Sequence, residues 1–297
     1  MNRFFKKIFG KRQTAAYNVE TAPLSEEQLR SVSELRVSYR PPQLLVGSAQ
    51  SVGKMRDHNE DTLFSLSAVL ADGQSEIPFG LYIIADGMGG HQHGEVASGS
   101  AVRTMAEYLL SKVYGPLYGA KEENQQESLQ EIMQYAVSLS QQAVVRNAPG
   151  GGTTLTAAMV IGEQITLSHV GDSRVYFIYP DGRIQVATQD HSLVRRLVEL
   201  GQITEGEAAV HPQRNVLYRA VGQVEPFKPD INTHLFPPGG LMMICSDGLW
   251  GVVSEAEILK IIRNNENLAA ACNDLVAAAN ASGGPDNISV VLVRYIN

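Results

Sequence analysis

From Leu44 onward two textures alternate along the chain: short unbroken apolar runs, and longer stretches where apolar residues recur every three or four positions. Each texture predicts a different element. The runs at 44–50, 62–70, 81–85, 153–161, 164–170, 174–179, 183–188, 240–246 and 287–295 read as strands, bounded by Gly, Pro, Asn and Asp. Val96, Ala97, Ala101, Met105, Leu109 and Leu110 make one stripe, predicting a helix from Glu95 to about Val113. Leu129, Ile132, Met133, Ala136, Val137 and Val144 predict a second helix over 127–147. Further helices are expected at 192–200, 204–209, 254–264 and 266–281. The links Gly162-Glu163, Gly171–Ser173 and Asp181-Gly182 are too short for crossovers, so the strands from 153 to 188 are expected to form an antiparallel meander. The longer helices come in two pairs, one after the run 81–85 and one before the last strand. This order predicts an α+β fold, with antiparallel sheets covered by helix pairs, over a doubly wound parallel sheet.

Residues 1–43 have a different pattern. Arg3, Lys6, Lys7, Lys11 and Arg12 carry the charge of the first twelve residues without one acid, and Phe4, Phe5, Ile8 and Phe9 share a face if that segment is helical. Such a segment is suited to weak contact with an anionic membrane surface; a solvated terminus is the plainer reading. Residues 13–43 are polar, with a short helix expected before Pro41-Pro42. The chain therefore divides into a basic segment and linker over 1–43 and one domain over 44–297. The formal net charge of −7 argues against a nucleic-acid binder. Cys245 and Cys272 are too few for a disulfide framework, which fits a reducing cytoplasm. No run is long enough to span a bilayer, and no secretory signal is legible.

Acids at strand ends raise the chemical question. Asp86-Gly87 and Asp247-Gly248 each end an apolar run, in I-I-A-D-G and M-I-C-S-D-G, with a helix to follow. A sharp turn is expected at Asp86, with Gly87, Gly89 and Gly90 free to take positive φ. Asn59-Glu60-Asp61 precedes one strand, Asp286 the last, and Asp172 lies between two. Asp181-Gly182 and Asp72-Gly73 read as ordinary turns. Converging carboxylates repel one another and raise each other's pKa, so the set is expected to hold cations. All-oxygen ligands suit Mg²⁺ or Mn²⁺. Arg56 beside them is a natural phosphate clamp, or a salt bridge to the same acids. The sum suggests two-metal phosphoester hydrolysis, with a water activated for in-line attack.

Arg56-Asp57-His58-Asn59-Glu60-Asp61, Ala85-Asp86-Gly87-Met88-Gly89-Gly90-His91, Gly152-Thr153-Thr154, Val170-Gly171-Asp172-Ser173-Arg174, Cys245-Ser246-Asp247-Gly248-Leu249 and Gly284-Pro285-Asp286-Asn287 occur in that order. Together they resemble the metal-dependent protein phosphatases of type 2C, specifically the bacterial branch, over 44–297. The resemblance implies a four-layer α-β-β-α sandwich and hydrolysis of phosphoserine and phosphothreonine in proteins, opposing a Ser/Thr kinase. It implies Asp86 as the carboxylate bridging two ions, the Gly87 carbonyl, Asp247 and Asp286 as further ligands, and Asp172 with Asp247 as a third, weaker site. Glu60 and Asp61 would act on waters at the metals, and Arg56 would bind the phosphate. Thr153 and Thr154 look structural. The segment from about 190 to 225, with His191 and Arg219, resembles a flap that selects substrate. A monomer is expected, in the cytoplasm or at the inner membrane face. The alternative is a catalytically dead relative that binds phosphoproteins as a scaffold. One departure stands out: animal members tend to carry His where this chain has Met88, and Met cannot donate a proton. His91 is the nearby candidate acid. His169, Cys245 and Trp250 read as core.

Overall fold

The structure is a computed structural model and describes residues 41–71, 76–89, 92–118, 127–223 and 228–296. The basic segment 1–12, the helix expected within 13–40, Asp72-Gly73, Gly90 and His91 lie outside the described residues.

Two antiparallel sheets stack face to face. One has the order β1 (Gln43–Ser51), β11 (Ile288–Ile296), β10 (Leu241–Cys245), β7 (Arg174–Ile178), β8 (Ile184–Val186). The other runs β2 (Asp61–Ala71), β3 (Glu76–Met88), β5 (Leu155–Ile161), β6 (Gln164–Val170), β9 (Asp230–Leu235), with the two-residue β4 (Gly152–Thr153) paired to the end of β3. Helices α1 (Gln92–Leu109) and α2 (Leu129–Asn147) cover the second sheet, while α5 (Asp247–Trp250), α6 (Glu255–Arg263) and α7 (Leu268–Ala281) cover the first. Helix α1 runs on through a π turn at Leu110–Tyr114. Two short helices, α3 (Leu193–Glu199) and α4 (Glu205–Ala209), sit in the segment between β8 and β9.

The unbroken apolar runs follow from this layering, because each central strand is buried on both faces. On β3, Phe79, Leu81, Ile83 and Ala85 pack under α1 and α2, while Tyr82 and Ile84 meet the opposite sheet. On β10, Met243 and Cys245 face α6 and α7, and Met242 and Ile244 face inward. Helix starts follow local side-chain chemistry. Ser128 and Glu131 form a capping box on α2, and Thr204 and Glu207 do the same on α4.

Two expectations need correction. The strands from 153 to 188 are not one meander. The pair β5–β6 belongs to one sheet and β7–β8 to the other, so Gly171–Ser173 carries the chain across the sandwich. The backbone also does not turn at Asp86. Strand β3 continues to Met88, and Gly89, at φ 116°, is the positive-φ glycine there. Gly87 is required for a different reason: a Cβ would lie 2.2 Å from Gly94 O and 2.7 Å from Glu60 O. It allows β2, β3 and the start of α1 to close on one another.

Candidate active site

Strand ends from both sheets meet at one edge of the sandwich. Asp61 opens β2 directly across from Asp86 on β3. Asp247 follows β10, Asp286 precedes β11, and Asp172 occupies the turn that crosses between the sheets. Burial and neighbouring charge raise four of these carboxyls, those of Asp61, Asp86, Asp172 and Asp247. Burial, first, then the charges of Asp61, Asp247, Asp172 and Asp286 push the Asp86 carboxyl well above its ordinary range. Asp172 is raised in the same way, by burial and then by Asp247 and Asp190. Burial raises Asp61 to about 7 against two serine hydrogen bonds that lower it, with Asp247 and Asp286 adding to the rise. Asp247 reaches about 6 through burial and Asp286, while the neighbouring Asp86 carboxyl draws it part of the way back down.

Residues without charge hold the cluster. Ser246 Oγ and Ser289 Oγ donate to Asp61 Oδ2 at 2.8 and 2.6 Å. Thr154 Oγ1 accepts from the Asp86 amide at 2.9 Å, and Thr153 Oγ1 donates to the Asp86 carbonyl at 2.9 Å. The two threonines are therefore buried supports of the Asp86 backbone. Asn287 organises the loop that carries Arg56 and Glu60. Its Nδ2 donates to Val52 O and His58 O, both at 2.8 Å, and its Oδ1 accepts from the Glu60 amide at 2.7 Å. Sequence reasoning placed Asn287 and Ser246 inside motifs but gave them no task, and it passed over Ser289. The signal available for the serines was position: each sits one or two residues from a motif acid or asparagine, at the end of a buried strand.

Arg56 lies at the open side of the cluster. Its Nη2 is 2.8 Å from Asp286 Oδ2, and its side chain is 48% exposed. That hydrogen bond, with the charges of Asp286, Glu60 and Asp86, strengthens its hold on its proton. Both sequence readings of Arg56 are thus compatible with its position: it is salt-bridged to a motif acid and still exposed enough to meet a phosphate. Met88 is half-buried, with its sulfur 3.6 Å from the place a Cβ on Gly152 would occupy.

The donor set fits divalent cations. Asp61 Oδ1 and Asp247 Oδ1 are buried without a hydrogen-bond partner, which is costly unless a cation or water meets them. Every donor is oxygen, as Mg²⁺ and Mn²⁺ prefer. Among the described residues no three His, Cys, Asp or Glu side chains are grouped so as to hold one ion by themselves. That suits ions that keep most of their own water and take one or two carboxylates each.

Beside the cluster opens a cleft of about 360 Å³. Asp172, Asp247, Trp250 and Gly251 form one wall, and Val194, Arg195, Val198 and Ala208 of α3 and α4 form the other. Residues of the segment between β8 and β9 thus line this cleft. The two flap residues named from sequence do not face this cleft. His191 is 2% exposed and bonded at both ring nitrogens, and Arg219 is paired with Asp230 at 2.8 Å. Burial, not sequence, decides that His191 cannot touch a substrate. His169 is a satisfied core histidine, held by Thr156 Oγ1 and Gln189 O. Burial of the Cys245 thiol pushes it up to about 12, so it is no nucleophile. Trp250 is more than core: its Nε1–H donates to Asp172 O at 3.0 Å, and the Arg174 guanidinium lies 3.5 Å over its ring.

A two-sheet sandwich with opposed helix layers, carrying a carboxylate cluster and an arginine at one edge, defines a metal-dependent phosphohydrolase architecture. The protein phosphatase 2C family model matches residues 46–288, and the chain belongs to that family. It is 36% identical over 244 residues to a serine/threonine phosphatase, stp, of Listeria innocua, covering 82% of this chain and 92% of that one. It is 35% identical over 250 residues to the protein phosphatase PhpP of Streptococcus pneumoniae, covering 82% and 94%. Among solved structures, a Streptococcus agalactiae serine/threonine phosphatase superposes with TM-score 0.71 at 31% identity, over 84% of this chain and 98% of that one. The catalytic domain of the phosphatase PstP in complex with two manganese ions superposes with TM-score 0.69 at 29% identity, over 86% and 100%.

Proposed function

We propose that this chain hydrolyses phosphoserine and phosphothreonine in proteins, using divalent ions held at the carboxylate edge. One observation carries the reading: five aspartates at strand ends, two with buried oxygens that lack a partner, converge beside Arg56 on the frame of a phosphatase family. Retention of every one of those acids weighs against the alternative of a dead scaffold.

Asp86, Asp247, Asp286 and the Gly87 carbonyl would hold two core ions, Mg²⁺ or Mn²⁺, and Asp172 with Asp247 a third. When bound, such ions lower the pKa of water at the site and offset charge on the phosphoryl oxygens. The chain's own residues do the rest. Asp61 is fixed at Oδ2 by two serine hydroxyls, leaving Oδ1 to orient and deprotonate a water. Glu60, its amide held by Asn287, supports the same water network. Arg56 leaves Asp286 and takes two phosphate oxygens in its fork. Met88 supplies no proton to the departing hydroxyl. The α3–α4 wall of the cleft contacts the polypeptide around the phosphorylated residue.

The catalytic domain is assigned to 44–297 and the region before it to a linker with a basic start. Partners are phosphoproteins and an opposing Ser/Thr kinase, and the unit is a monomer. Among the described residues no helix is long and apolar enough to cross a membrane; a cytoplasmic enzyme touching the inner membrane face through residues 1–12 is the proposed location. The deciding assay is Mn²⁺-dependent phosphate release from a phosphothreonine peptide, blocked by EDTA. Absence of release by folded, metal-loaded protein would sink the proposal. Equal pelleting with liposomes, with and without residues 1–12, would reject the membrane contact.

A further inference from the structure

The flap segment is tied to the cleft at both ends. At its far end Thr153 and Val221 exchange two backbone hydrogen bonds of 2.8 Å. At its near end the tie is His191. Its amide donates to Gly171 O at 2.7 Å, and its ring Nδ1 accepts from the Gly171 amide at 3.0 Å. One residue thus holds both backbone polar groups of the glycine that precedes Asp172. Because Nδ1 accepts, the neutral ring carries its proton on Nε2, which donates to Asp230 Oδ2 at 3.1 Å, so that Arg219 Nη1, 3.0 Å from the same nitrogen, is left to bond the carboxylate and not the ring. Arg219 Nη1 donates to the other oxygen of Asp230 at 2.8 Å. The His169 ring lies against that of His191, 4.9 Å between centroids. Gly171 has little room to yield: its φ is 106°, and a Cβ would lie 2.5 Å from Thr154 Cγ2. On the flap side, Tyr218 N donates to His191 O at 2.9 Å and Leu193 N to Val216 O at 2.8 Å.

We propose that His191 is a positioning residue that couples the flap to the Asp172 turn, so that the two walls of the cleft move as one unit. Histidine suits the task because one ring nitrogen must accept from a backbone amide while the other donates to a carboxylate. Asparagine reproduces the first contact, and alanine neither. The turn carries a natural reporter. Trp250, the only tryptophan in the chain, donates to the Asp172 carbonyl. Arg174, stacked on its ring, is bidentate to Asp190, the residue before His191. The coupling stands on this geometry alone; its effect on a cation at Asp172 rests on the proposed function.

The test uses the full chain, first metal-free and then titrated with Mn²⁺. Amide hydrogen exchange is read over 170–174 and 192–217, and Trp250 is followed by emission and iodide quenching. His191→Ala is expected to speed exchange in both segments together by about tenfold or more and to expose Trp250 to quencher. His191→Asn should stay within about threefold of wild type for residues 170–174. By calorimetry, His191→Ala should weaken the weakest Mn²⁺ site about ten- to a hundredfold, as for loss of other outer supports of a metal ligand. Loosening of 192–217 alone, with 170–174 and Trp250 unchanged, would overturn the coupling, as would an Asn variant that behaves like Ala. An unchanged Mn²⁺ affinity would overturn the extension to the cation. If His191→Ala does not fold, Asp230→Ala, at a half-exposed position, takes its place: joint loosening of both segments supports the coupling, and loosening of 192–217 alone overturns it. If the reporters respond in a protein that releases no phosphate, the coupling stands and the phosphatase reading falls.

Discussion

Asn287 Oδ1 accepts the amide of Glu60 at 2.7 Å, joining the loop before β2 to the start of β11, 227 residues later in the chain. With its Nδ2 bonds to Val52 and His58, that side chain makes three of the contacts that shape the loop presenting Arg56. Asn287→Ala is expected to cost about 1–2 kcal/mol, because it removes three hydrogen bonds to part-buried backbone groups. It should also cut turnover by displacing Arg56 and Glu60. Urea midpoints and kcat on one preparation check both, and full activity with unchanged stability would remove Asn287 from the site.

Arg56→Ala should act on substrate binding. Loss of a charged fork to phosphate is worth about 1.5–3 kcal/mol, which is ten- to a hundredfold in KM. Arg56→Lys should recover only part, since an ammonium cannot make the two parallel bonds. KM unchanged in the alanine variant would contradict the phosphate role.

The acidic edge makes metal-free protein less stable than loaded protein. A cation present at about 100 times its Kd adds about 2.7 kcal/mol. For a domain of this size that is several degrees in Tm. Asp86→Asn removes one of the repelling charges. It should abolish turnover while leaving the metal-free Tm equal or higher, and it should blunt the Mn²⁺-dependent rise. Calorimetric scans with EDTA and with Mn²⁺, alongside a phosphate-release assay, measure all three. A Tm indifferent to Mn²⁺ would count against the metal site.

His169 provides a pH dependence away from the cleft. Burial lowers its pKa from 6.5 to about 4, with the nearby His191 ring contributing. The unfolded chain then binds a proton that the folded chain refuses, so the contribution of His169 to stability is complete above pH 6.5 and erodes as pH falls toward 4. The loss is on the order of 3 kcal/mol across that window. His169→Gln should flatten that part of the stability profile. An unchanged slope between pH 6.5 and 4 would show that His169 is not the group responsible.

Much of this protein was legible along the chain. Each run bounded by Gly, Pro or Asp became a strand, because β3, β10 and β11 are buried on both faces and have few polar positions to interrupt them. The acids at 61, 86, 172, 247 and 286 stood out because carboxylates at the ends of apolar strands have no local reason to be there. What the chain could not reveal is which strands share a sheet. The link at Gly171–Ser173 looks like a hairpin but crosses the sandwich, since a short turn between apolar runs has the same pattern in either case. The direction of a side chain was equally hidden. His191 read as a flap residue open to substrate, yet tertiary packing buries it against Gly171 and Asp230. Ser246, Ser289 and Asn287 are ordinary polar residues until the fold sets them beside Asp61 and Glu60. Periodicity and strand termination are local properties and survive in one dimension. The partners of a buried polar group come from distant segments, and only the packed structure brings them together.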